Sequence, residues 1–246
     1  MKELFWDGEM DYGWEDLSQL IVSTCNRFTD IMLKTTEINP NNESTKMIST
    51  RCMSRFGNIV TILADIVKQG IYYSYEDIIE DSQNALKLNG WILLGTLTET
   101  ILQMFLAFYI DDYKSVNWQQ WQNFEVLKVQ TPIMVCINGM VAKNLLSVEQ
   151  ADSLKKAIKK KIREHTEEHP VQTIMFDELI QLYRYLKLFD EDEIFYLETI
   201  KSNRNGIHSF KERTIGNWND FQYSSRFFCY LMEWVMNRLP DLPDEY

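Results

Sequence analysis

Apolar residues recur at three- and four-residue intervals along most of the chain, and no run alternates with the period of two that a half-buried strand needs. The pattern predicts helices throughout. A first helix is expected from about Trp14 to Thr36, with Leu17, Leu20, Ile21, Phe28, Ile31 and Met32 as its buried stripe. Asn39-Pro40-Asn41-Asn42 breaks it. Ser44 or Thr45 is placed to cap the next helix, which carries Ile48, Phe56, Ile59, Val60, Leu63 and Val67 and is expected to end at Gly70. Ser74-Tyr75-Glu76-Asp77 resembles a capping box and opens a short acidic helix, followed by a long apolar helix ending near Tyr113.

Thr131-Pro132 predicts a helix start, because proline at the first helical position loses no needed hydrogen bond. Ser147-Val148-Glu149-Gln150 is a second capping box, opening a helix with Ala151, Leu154, Ile158 and Ile162 on one face. The other face holds Lys155, Lys156, Lys159, Lys160, Lys161 and Arg163, and His169-Pro170 stops the helix. Helices are then expected over about Thr173 to Leu188, about Glu191 to Ser202, and from Gly216-Asn217 to about Arg238. No internal repeat or low-complexity linker divides the chain. The expected architecture is an all-α multi-helix bundle forming a single domain over 1–246, with a seam at the polar stretch 115–131.

Composition adds limits. The chain has 246 residues, 45% of them hydrophobic and 25% charged, enough to bury a core without covalent staples. Its 25 basic and 36 acidic residues give a formal charge of −11, which excludes a wholly basic nucleic-acid-coating protein but not a local basic patch. Cys25, Cys52, Cys136 and Cys229 are far apart with no C-x-x-C spacing. They read as reduced cysteines packed as small hydrophobes, which fits a cytoplasmic protein. The acidic N-terminus, MKELFWDGEMDYGWEDL, lacks the apolar core of a signal peptide. The stretch Gly90 to Ile110 is long and apolar enough to span a bilayer, but Glu99 sits at its centre among threonines and Gln103. A central acid costs on the order of 3 kcal/mol on insertion, so this stretch is expected to be a buried core helix.

The chain has three histidines. His165 and His169 are four apart, but the residues between them do not make H-E-x-x-H, and Pro170 follows at once. They are not expected to hold a metal, and no spacing predicts a cofactor. Asp111 and Asp112 diverge by about 100° on a helix and read as a helix end. Most of the aromatic residues fall on apolar faces and are expected in the core. The basic face of Lys155 to Arg163 is either an ordinary solvated surface or a source of phosphate contacts.

His208 has a denser setting, Ser202-Asn203-Arg204-Asn205-Gly206-Ile207-His208. On a helix, residues four apart share a face about 6 Å apart along the axis, so Arg204 and His208 would project together. Arginine is a permanent cation whose fork matches phosphate oxygens. Histidine trades protons near neutral pH. Asn205 is placed to orient the imidazole or bind a phosphate oxygen. The alternative is that Asn205-Gly206 marks a turn and that Arg204 and His208 are surface or partner-packing residues.

This segment resembles the HEPN superfamily (higher eukaryotes and prokaryotes nucleotide-binding domains). Its hallmark is an arginine, usually followed by a polar residue such as asparagine, then a histidine a short distance on, within an all-helical bundle. Arg204, Asn205 and His208 match these positions, although the family gap is longer than the three residues found here. The resemblance implies a metal-independent endoribonuclease of the toxin–antitoxin or phage-defence kind, typically a homodimer placing two Arg–His pairs in one cleft. It implies an RNA partner and a cognate antitoxin or regulatory protein. The RNA 2′-OH attacks the adjacent phosphate, leaving a cyclic phosphate and a 5′-OH. His208 would be the general acid or base, Arg204 would stabilise transition-state charge, and Asn205 would position it. Other members have lost catalysis and serve as RNA-binding or protein-interaction scaffolds.

Overall fold

The computed structural model describes residues 13–39, 44–74, 81–111, 119–166, 171–207 and 215–240. Among these the chain is helical, with no strand. The helices are α1 (Trp14–Ile38), α2 (Ser44–Met47), α3 (Thr50–Tyr73), α4 (Asp81–Phe108), α5 (Gln119–Ala142), α6 (Val148–Thr166), α7 (Phe176–Tyr185), α8 (Glu191–Arg204) and α9 (Trp218–Met236). Short 3₁₀ turns lie at Val171–Thr173 and Asn205–Ile207. The all-α expectation holds.

Where a polar side chain can satisfy the orphan amides of a first turn, the sequence places the helix start well. Asn217 opens α9, its side chain accepting from the Asp220 N–H at 2.8 Å while Asp220 accepts from the Asn217 N–H at 2.9 Å. Asp190 and Glu193 cap α8 in the same reciprocal way. Ser147 and Gln150 do so at the start of α6.

Three boundaries differ from expectation. Ser49, not Ser44 or Thr45, caps the helix that carries Phe56 and Leu63, accepting from the Cys52 N–H at 3.2 Å. Gly70 does not end α3, which continues to Tyr73. The glycine instead admits the Trp14 indole, which a Cβ there would overlap. Pro132 does not begin a helix, because α5 starts at Gln119 and runs through it. Pro132 lies on an exposed face, where water can meet the carbonyl that loses its partner. Ser74 caps the C-terminal end of α3, and the rest of the Ser74–Asp77 box and the His169-Pro170 stop fall on residues outside the described set.

The chain divides into two compact units, Met1–Tyr109 with Val171–Tyr246, and Ile110–Pro170. The sequence reading places a seam at 115–131. The boundaries fall at 109/110 and 170/171, and 119–131 is helix.

In the first unit α4 is the central element, packed against α2, α3, α7, α8 and α9, while α1 packs on α3 and α9. This explains its apolar character on all sides. Trp91, Leu94, Ile101 and Leu102 have no exposure. Its most apolar window, within Ala85–Phe108, is long and apolar enough to cross a membrane by composition and 67% buried inside the bundle. Polar ties fix the neighbours. The Tyr183 hydroxyl donates to the Leu102 carbonyl at 2.8 Å, Gln103 donates to the Ile174 carbonyl at 2.9 Å, and Ser18 donates to the Ala64 carbonyl at 2.9 Å. The second unit contains the α5–α6 hairpin, joined by the short turn 143–147.

All four cysteines are free thiols. Cys25 and Cys229 are buried, and burial pushes the Cys25 thiol up to about 12. Cys136 departs from the packed-cysteine expectation, because it is exposed on α5.

Candidate functional site around Arg204

Arg204 is the last residue of α8. Asn205 caps that helix and, with Gly206 and Ile207, forms a 3₁₀ turn. The alternative reading of Asn205-Gly206 as a turn therefore holds, and the continuous α-helix that would set Arg204 and His208 on one face ends at Arg204. His208 lies outside the described residues. Asn205 is half-buried, and its backbone N–H donates to the carbonyls of Lys201 and Asn203.

The Arg204 guanidinium meets the acid that the sequence leaves unexplained. Its Nη1 donates to Glu99 Oε2 at 2.7 Å, and the two side chains are 30% and 16% exposed. The carboxylate at the centre of the apolar α4 is thus neutralised by the cation at the end of α8. The close approach depends on Gly95, one turn before Glu99. A Cβ on Gly95 would fall 2.6 Å from Arg204 Cδ and 2.9 Å from its Cβ. The arginine stem lies directly across the α4 backbone. Among the described residues, Nη1 makes the only hydrogen bond from this guanidinium, so Nε and Nη2 carry donors not engaged by them.

Asn203 is a residue the sequence does not single out. It is 9% exposed, its Nδ2 donates to the Thr199 carbonyl at 3.0 Å, and its Oδ1 accepts from the Gly216 N–H at 2.6 Å. It ties the end of α8 to the chain entering α9. In the sequence it is one polar residue among several, and nothing local marks it as the buried one.

The α4 face continues toward its N-terminus past the same turn. A Cβ on Gly206 would contact Ile215 and Leu88, and one on Gly216 would come within 3.2 Å of Trp91. Trp91 is fully buried and its indole N–H has no hydrogen-bond partner among the described residues. Lys87, one turn earlier, is 3% exposed. Burial holds its ammonium below the usual lysine range, partly offset by the Asp220 carboxylate. On α8 a second charged cluster joins α7. Lys201 donates to Asp177 at 2.6 Å and pairs with Glu198, which lies 3.8 Å from Arg184.

Comparison with known proteins finds no matching family, no matching curated protein and no matching solved structure. The site therefore stands on its own geometry. It holds one oriented guanidinium with spare donors at a helix end, an adjacent amide side chain, and an acid that fixes the cation. No group of three or more metal-ligating side chains occurs among the described residues. Chemically, the arrangement suits recognition of an oxyanion by a pre-positioned arginine.

Proposed function

We propose that the protein is a HEPN-like, metal-independent endoribonuclease acting as a homodimer, of the toxin or phage-defence class. The observation that carries this reading is the state of Arg204. One guanidinium nitrogen is anchored by Glu99, and the remaining donors are uncommitted among the described residues, beside Asn205 and four positions before His208. Anchoring one edge of the fork leaves another for a pair of phosphate oxygens. His208 then exchanges the proton of the 2′-OH or of the leaving 5′ oxygen. Arg204 stabilises charge on the phosphorane-like transition state, and Asn205 holds the scissile phosphate in register.

The Arg204–Glu99 pair itself favours a second reading, a non-catalytic HEPN-like scaffold that binds RNA or protein. Glu99 lowers the net positive charge available to a phosphate, and it gives Arg204 a structural role sufficient to explain its place. Incubating total RNA with wild type and His208→Ala in EDTA separates the two. Cleavage by wild type alone supports the ribonuclease, and inactivity of both supports the scaffold.

A further inference from the structure

We propose that the cationic flank of the α5–α6 hairpin is a docking surface for the phosphodiester backbone of RNA. This proposal shares its RNA partner with the functional reading above but uses different residues in a different unit. The hairpin has two unlike flanks. Along α5 the half-buried and buried positions are Gln130, Ile133, Met134, Ile137 and Val141, which face α6. Ala151, Ile158 and Ile162, with the stem of Lys155, answer them from α6. Rotating one way from this seam meets apolar residues on both helices, with Val129 57% exposed, Met140 40% and Leu154 43%. Rotating the other way meets Thr131, Asn138 and the exposed Val135 on α5, and on α6 the exposed Lys156 and Lys159, with the half-buried Lys155 at the edge of the seam.

Three properties make this stripe more than a solvated face. Between Ser153 and Arg163 six residues are basic and none is acidic. Lys155/Lys159, Lys156/Lys160 and Lys159/Arg163 are therefore like-charge pairs four apart, an arrangement that destabilises an isolated helix. A helix selected only for solubility would place acids at those positions. Lys155, Lys156 and Lys159 also have no ion pair or hydrogen bond from their side chains among the described residues. Finally, charge is segregated by unit. Ile110–Pro170 has nine basic and eight acidic residues, whereas the rest of the chain has 16 and 28. In a chain of net −11, this is where a polyanion meets least repulsion.

Lysines four apart are about 6 Å apart along the helix and offer a row of point charges to successive phosphates. An anionic bilayer fits less well. Among the described side chains, the lysine flank exposes Val135 and Val148 but none of the Trp, Phe or Leu that anchor an interfacial helix, and Met140 and Leu154 lie on the opposite flank.

The test uses the full chain carrying His208→Ala, so that RNA stays intact. A labelled single-stranded RNA oligonucleotide and vesicles of phosphatidylcholine with phosphatidylserine are titrated across a salt series. Lys155, Lys156 and Lys159 are changed together to Gln, and in a second variant to Arg. The Gln variant should bind RNA about tenfold more weakly, and its slope of log affinity against log salt should fall by about two, near 0.7 for each phosphate no longer neutralised. The Arg variant should bind within about twofold of the parent. Equal RNA binding by the Gln variant overturns the proposal. So does an equally large weakening in the Gln and Arg variants, or parental binding to vesicles without binding to RNA. RNA bound through these lysines but never cut by wild type would refute the ribonuclease and leave this surface standing. RNA cut by wild type but bound independently of the lysines would do the reverse.

Discussion

At the residue scale, the half-buried Glu99 and the buried Lys87 on α4 have opposite fates. Glu99 is compensated by Arg204 at 2.7 Å. Lys87 is 3% exposed, and among the described residues only Asp220, already capping α9, favours its charge. Burial lowers its pKa below the ordinary 10.5, so between the lowered value and 10.5 the unfolded chain holds more protons than the folded one. Stability contributed by this group therefore rises with pH through that window, and the charge is a penalty below it. Lys87→Met should stabilise the protein at pH 7 by on the order of 1 kcal/mol, since it removes a poorly compensated buried ammonium while keeping a chain of similar length. Denaturant unfolding at several pH values checks this, and the advantage should shrink as pH approaches 10.5. At this scale the sequence announces the problem but not the answer. Glu99 stands out as an acid in an apolar stretch. Its partner lies 105 positions away on another helix, and one-dimensional spacing carries no trace of that pairing.

At the element scale, the α4–α8 crossing is set by one missing methyl group. With Gly95 replaced by Ala, the new Cβ would sit inside contact distance of three Arg204 carbons. The stem must then lift, and Glu99 loses its cation. Gly95→Ala should destabilise the protein by about 1–3 kcal/mol despite the better helix propensity of alanine, as overpacking does elsewhere. Urea unfolding measures it, and a neutral or stabilising result would mean that the crossing has slack. Helix existence is legible because burial on one face leaves a periodic signal, and the starts at Asn217 and Ser147 are legible because capping is local chemistry. The misplaced boundaries at Gly70 and Pro132 share a cause. Local propensity reads glycine and proline as punctuation, whereas tertiary packing uses Gly70 to seat Trp14, and solvent exposure lets α5 run through Pro132.

At the scale of the whole molecule, the net acidity is concentrated in one of two units of different design, and the other is close to neutral. One is a many-helix bundle around α4, and the other contains a hairpin with a cationic flank. The cationic flank is visible in the sequence, but the division into units is not, because no low-complexity linker marks either boundary. The central claim is that Arg204 serves both the bundle and the chemistry, through different edges of one guanidinium. Arg204→Lys isolates the second role. A lysine can still neutralise Glu99, but as a point charge without a second edge to offer. The decisive measurement is RNA cleavage in EDTA by wild type and Arg204→Lys, with folding checked by thermal unfolding. The account predicts a folded variant whose cleavage rate falls at least about a hundredfold, the scale of losing one oriented transition-state donor. A folded Arg204→Lys protein that cuts RNA as fast as wild type, or a wild type that cuts none, would contradict it.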